Sequence, residues 1–186
     1  QKIYAAKGRP SDNPLILHVA SPAMVETIAV SISKEAHALM RTFWPGPLTI
    51  VFKKQSHVPD AVTGGLDTVA VRMPAHPLTL KIIEAAQVPL AAPSANLSGR
   101  PSSTRFSHVY DDLNGRVDMI IDDADSSIGI ESTVVDCSNE TVTILRPGQI
   151  DQASLEIILK HPVPYASHQG GTPKSPGVKY GHYQPR

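Results

Sequence analysis

The stretch AAPSANLSGRPSS, residues 91–103, places Ser94, Asn96, Ser102 and Ser103 around Gly99 and Pro101. Small side chains let backbone come close to a ligand, and Ser and Asn bring donors and acceptors on short stems, which suits a phosphate or a nucleotide. An ordinary Ser/Pro loop ahead of a capped helix would read the same way. In KGRPSDNP, residues 7–14, Lys7 and Arg9 stand two apart and Asn13 follows. In an extended segment the two cations project to one side and could clamp a polyanion; alternatively they are solvated charges at a helix end. His18 lies inside LILHVA, where a histidine is either a satisfied core residue or a ligand contact. Arg72 lies near the end of DTVAVRMP, four residues after Thr68, and could fork onto a carboxylate or sit as an exposed edge charge. Ser132 and Thr133 in GIESTVVD and Arg146 in LRPG flank two further β-rich runs.

The elements that must hold these residues alternate between short apolar strands and amphipathic helices. Strands are predicted over 14–21, 47–54, 67–74 and 88–92, then over 118–122, 132–136 and 141–148, the last two joined by a turn at CSNE. Helices are predicted from 22 to about 39, in two pieces divided near 31–33, and over 76–87, 102–115 and 151–160. The 76–87 helix would turn Leu78, Ile82 and Ala85 to the core; Asn114-Gly115 would close the next helix, and Asp151 would cap the last. The fold class is α/β, with the late strands antiparallel. After His161 the apolar pattern stops, so residues 1–160 read as one domain and 161–186 as a linker or lid. The run KYGHY in that tail is a poor spacer and a good set of ligand contacts.

Seventeen basic and 17 acidic residues leave no net charge, which argues against a large nucleic-acid footprint. Cys137 is the single cysteine, so a disulfide framework and a multi-cysteine metal site are excluded, and the eight histidines show no zinc spacing. No metal site is expected. There is no apolar run near the ~18 residues of a membrane helix. A soluble, cytoplasmic protein is expected.

Taken in order, KGRPSDNPLILHV, FWPGPLTIVF, VAVRMPAHP, APSANLSGRPSST, ESTVVD and ILRPG resemble the YrdC/Sua5 family, the threonylcarbamoyl-AMP synthases of tRNA modification. The K-x-R and S-x-N signatures match Lys7/Arg9 and Ser94/Asn96, and SPGVKYGHYQP resembles the linker of the longer Sua5 branch. The resemblance implies a YrdC-like twisted mixed sheet with flanking helices and a concave ligand cleft. It also implies that a P-T-E-T-x-Y-G-L-G-like segment upstream and a C-terminal Rossmann-like domain lie outside this chain.

The implied reaction joins L-threonine, bicarbonate and ATP into threonylcarbamoyl-AMP and pyrophosphate, for later transfer to adenosine 37 of tRNA by another enzyme system. A carbamate attacks the α-phosphorus, so no enzyme nucleophile is needed, and Mg2+ would travel with the triphosphate. By the same resemblance Lys7, Arg9, Ser94 and Asn96 are catalytic. ATP would be held by Arg9, Asn13, Thr68, Ser94, Ser102 and Arg146, with Tyr183 of the tail near the phosphates. Threonine would be held by His18, Arg72, Ala92 and Ser132. Two alternatives stand beside this reading: a non-catalytic double-stranded RNA-binding module, with weak RNA binding through the concave face, and a carbamoyltransferase-type YrdC domain.

Overall fold

The computed structural model describes residues 1–126 and 129–167. The chain runs α1 (Lys2–Lys7), β1 (Ile16–His18), α2 (Pro22–Glu26), α3 (Lys34–Phe43), β2 (Leu48–Lys53), α4 (Asp60–Thr63), β3 (Thr68–Arg72), α5 (Pro77–Ala86), β4 (Leu90–Ala92), α6 (Phe106–Leu113), β5 (Thr133–Asp136), β6 (Thr143–Arg146) and α7 (Gln152–Leu159). Among the described residues the strands form one six-stranded sheet, ordered β4-β1-β3-β2-β5-β6. The β1–β3 and β2–β5 pairs are parallel and the other three pairs antiparallel. This is the mixed α/β sheet that the sequence predicts.

Strand alternation divides the sheet into two faces. Leu17, Leu48, Ile50, Phe52, Val69, Val71 and Val135 join Val25, Leu39, Met40 and Leu155 of the helices in the main core. The opposite face carries a smaller apolar cluster of Ile16, Val51, Ala70 and Val134, with Leu145 against it. His18 and Arg72 belong to this second face, two residues beyond Ile16 and Ala70 on the same strands. An irregularity between β5 and β6 decides which face Arg146 joins. Val135 pairs with Ile144 and Val134 pairs with Arg146, so Leu145 is the extra residue. Strict alternation from the core residue Ile144 would point Arg146 into the core; the bulge turns it to the second face.

Several sequence expectations are corrected. Lys7 is not in an extended segment: it ends α1, and Gly8, at φ 60°, turns the chain in the left-handed conformation. The expected core face of α5 looks outward, with Leu78 37% and Ile82 39% exposed, while Ile83 is fully buried. Residues 118–122 form no strand, because no neighbouring strand pairs with them among the described residues; Met119 and Ile121 are exposed. The helix predicted from 102 begins at Phe106, leaving 102–105 in the loop. The break near 31–33 is present, with Ser33 Oγ accepting from Ala36 N at 3.1 Å to start α3. Asp151 caps α7, accepting from Ser154 N at 2.8 Å. The packed chain runs past 160: Val163 is fully buried, and Ile144 N donates to Pro164 O (2.8 Å) and accepts through its carbonyl from Ala166 N (2.9 Å). The remainder of the tail, Tyr183 included, lies outside the described residues.

Candidate active site

His18 and Arg72 are the last residues of two parallel neighbours and pair in register. Strands that end side by side leave a crevice beyond their carboxyl ends, the usual place for ligands on such sheets. Arg9, His18, Arg72, Ala92, Ser94, Ser102, Ser132 and Arg146 line one cavity there, together with Glu131, with about 210 Å³ of solvent-accessible space. Eight of the thirteen residues predicted from sequence therefore share one wall.

The charge of that wall is predominantly positive. Three guanidinium groups, from Arg9, Arg72 and Arg146, face one carboxylate, Glu131. Arg72 is braced by a 3.0 Å hydrogen bond from its Nε to Gly46 O. Burial, and then the charge of Arg146, pull its pKa below the ordinary arginine value. The same forces act on His18: burial first, then Arg72, push its pKa down to about 4. At neutral pH this imidazole is uncharged, and its Nδ1 is buried without a hydrogen-bond partner among the described residues. A neutral ring can donate from one nitrogen and accept at the other, and this ring lines the cavity.

Arg146 is held on three sides. Its Nε and Nη2 donate to Ser132 O at 3.1 and 2.9 Å, Nη2 also reaches Ser132 Oγ at 3.1 Å, and Nη1 pairs with Glu131. Ser132 Oγ in turn shares a 2.7 Å hydrogen bond with Thr49 Oγ1 of β2. Gly148 makes this packing possible. A Cβ there would stand 2.4 Å from Thr133 N and 2.6 Å from Glu131 O, inside the backbone of the segment that carries Ser132. Thr133 serves the fold: its hydroxyl donates to Ile150 O at 2.7 Å and accepts from Ile150 N at 3.0 Å. Sequence reasoning missed Glu131. An acidic residue ahead of a strand carries no signature of its own, and its partner Arg146 reaches it only through the β5–β6 bulge.

The other predicted residues stand behind or beside the cavity. Lys7 and Arg9 are both buried, which removes the reading of two solvated charges. Arg9 lines the cavity while donating from Nη2 to Pro14 O at 2.9 Å and from Nε to Asn13 O at 3.3 Å. The Lys7 ammonium points into the 94–96 turn and donates to the carbonyls of Ser94 and Asn96. Burial and the nearby Arg9 lower its pKa to about 8, and Asp112 opposes that shift. Asn96 donates from Nδ2 to Leu97 O (2.8 Å) and Arg100 O (2.9 Å), tying the loop to itself. Asn13 and Thr68 do not line the cavity. Thr68 starts β3, about 13 Å along the strand from Arg72. The Oδ1 of Asn13 and the Oγ1 of Thr68 are each buried with no hydrogen-bond partner among the described residues.

Comparison with known proteins finds relatives of the whole chain. The model of the Sua5, YciO and YrdC family, described as telomere recombination, matches residues 1–148. The threonylcarbamoyl-AMP synthase of Pyrococcus abyssi is 49% identical over 189 residues, covering 100% of this chain and 55% of that protein. The Bacillus subtilis threonylcarbamoyl-AMP synthase is 47% identical over 188 residues, covering 100% and 54%. The chain thus spans about half the length of these curated relatives. The crystal structure of P. abyssi Sua5 complexed with L-threonine matches with a TM-score of 0.93 at 48% identity, over 99% of this chain and 55% of that one. Escherichia coli YciO shares the fold, with a TM-score of 0.74 at 23% identity over 83% of this chain and 75% of that one.

Proposed function

Since the chain belongs to the Sua5/YciO/YrdC family, we propose that its cleft forms threonylcarbamoyl-AMP and pyrophosphate from L-threonine, bicarbonate and ATP. The observation that carries this reading is the pairing of Arg72 with a neutral His18 at the ends of adjacent parallel strands. A guanidinium fork suits an amino-acid carboxylate, and a neutral imidazole, able to donate or accept, suits its hydroxyl. The structural relative binds L-threonine, which supports placing the amino acid here, with Ser132 and the backbone at Ala92 completing its surroundings. A site that hydrogen-bonds a hydroxyl can reject an analogue lacking it by about 10⁴ in favourable cases; threonine would be told from valine in this way.

In the chemical step the threonine nitrogen bonds to the carbon of bicarbonate with loss of water. A carbamate oxygen then attacks the α-phosphorus in line, the α–β bridging P–O bond breaks, and pyrophosphate leaves. The protein supplies charge, position and exclusion of water rather than a nucleophile. Arg9 and Arg146 neutralise phosphates, and Ser94 and Ser102 offer short donors to them. Asn13 and Thr68, whose oxygens are buried and unpartnered among the described residues, would take the nucleotide beside the amino acid. The cavity is smaller than the ~300–1,000 Å³ of a drug-sized site, which suits threonine and the reacting phosphate better than a whole nucleotide. Lys7 adds positive potential from behind the loop; touching a phosphate would require it to leave the Ser94 and Asn96 carbonyls. Tyr183 enters on sequence alone.

A Mg2+ ion would ride on the triphosphate. With Glu131 as the cavity's one carboxylate among the described residues, already paired to Arg146, it would be held through substrate oxygens and water. Among the described residues no helix is long and apolar enough to cross a membrane. A cytoplasmic setting belongs to this proposal, because the product would pass there to the enzymes that modify tRNA.

The test is pyrophosphate release by the full-length protein, which should depend on both threonine and bicarbonate. Arg72→Lys should raise the threonine KM by about tenfold or more, the scale of a lost charged hydrogen bond. Its ATP KM should stay nearly constant. ATP use with carbamoyl phosphate instead would make the protein a carbamoyltransferase. Salt-sensitive retention of double-stranded RNA without turnover would make it a binding module.

A further inference from the structure

The 94–103 loop delivers Ser94 and Ser102 to the cavity. Within it Gly99 sits at φ 83°, Arg100 N donates to Leu97 O at 3.1 Å, and the Asn96 amide and the Ser103 hydroxyl bond loop carbonyls. Two charged side chains attach it to the rest of the fold. The buried carboxylate of Asp112 on α6, 6% exposed, lies behind the loop. Its Oδ2 accepts from Leu97 N at 2.9 Å, and its Oδ1 pairs with the Arg100 guanidinium, whose own side chain is 61% exposed. From the other side comes α1: Lys7 donates to the Ser94 and Asn96 carbonyls, and Ser98 N donates to Lys7 O at 2.9 Å. A buried ammonium and a buried carboxylate therefore grip one short loop from two helices.

We infer that Asp112 is a positioning residue for the nucleotide side of the cleft, holding the loop together with Lys7 so that Ser94 and Ser102 face the substrate. Asp112 does not line the cavity, so it acts through the loop. Charge-assisted bonds are the strong ones, and a charged group left buried without its partner is costly. Lys7 meets the loop at Ser94 and Asn96 and Asp112 meets it at Leu97 and Arg100, so the two clamps hold neighbouring residues. The inference rests on the proposed use of ATP, and its consequence falls on ATP rather than threonine, because the amino-acid residues Arg72 and His18 stand on the sheet.

The experiment is Asp112→Asn in the full-length protein, which keeps an acceptor for Leu97 N–H and removes the charge. We expect the ATP KM to rise about tenfold, the scale of a lost buried charged hydrogen bond, with the threonine KM nearly constant. Amide exchange should accelerate across 94–103 and stay unchanged in β2 and β3. Arg100→Met, made at an exposed partner, should give a smaller change of the same kind and stands in if the Asp112 variant does not fold. An unchanged ATP KM, or equal losses for ATP and threonine, would overturn the inference. If the wild-type protein shows no threonine-dependent turnover, the proposed function fails by itself. Equilibrium titration with ATP, read beside amide exchange, then decides for or against Asp112.

Discussion

The imidazole of His18 ties stability to pH as well as to the site. Its folded pKa of about 4 lies below the ordinary 6.5 because burial and Arg72 disfavour the cation. As pH falls through 6.5 the unfolded chain takes up this proton and the folded protein does not. Stability attributable to His18 is therefore lost between pH 6.5 and about 4, and the loss levels off below that. The full effect is about 3 kcal/mol. Urea titrations at pH 7 and pH 4.5 should show a smaller drop in His18→Gln than in the wild type. Parallel drops would mean that the ring is protonated normally in the folded state. Arg72 could be anticipated at this scale, since a lone arginine ending an apolar strand has few uses. Burial of Lys7 could not, because it depends on the 94–98 turn folding over α1.

At the level of elements, the site depends on departures from regular structure. The bulge at Leu145 brings Arg146 to Glu131 and Ser132, and Gly148 then lets the returning chain pass against residues 131–133. Gly148→Ala would force that backbone apart, because a Cβ would meet main-chain atoms rather than a yielding side chain. We expect a loss of about 1–3 kcal/mol of stability. Affinity for both substrates should also weaken, since Ser132 and Arg146 move together. Thermal unfolding and separate titrations with ATP and threonine measure the two parts; full affinity with native stability would show that the 131–133 segment yields freely.

For the molecule as a whole, the question is where the packed unit stops. Val163 is fully buried, with its N–H held by Glu156 Oε1 at 2.9 Å and its carbonyl by Gln152 Nε2 at 3.1 Å. Tyr165, two residues on, is 53% exposed. If 161–166 belongs to the domain, Val163→Ala should cost roughly 1–3 kcal/mol and Tyr165→Ala less than about 0.5. Equal and negligible losses in denaturant titrations would return the boundary to Lys160.

The sequence by itself determined the class of fold, the approximate place of six strands, the break before α3, the α7 cap and eight residues of the cavity wall. The strands rest on alternation and the α7 cap on one side chain, whereas the gathering of the cavity residues into one site rests on the family resemblance of motifs spread along the chain. Tertiary structure decided the rest. The apolar pattern of 118–122 could not become a strand without a pairing neighbour, and the apolar stripe of α5 could not choose its buried side, which settled on Ile83. Glu131 became part of the wall only when one extra residue in β6 reversed the side to which Arg146 points. Asp112 met the 94–103 loop only when α6 packed behind it. Periodicity reports that a residue has a preferred side, but which side is buried, and against what, is set by partners distant in the chain.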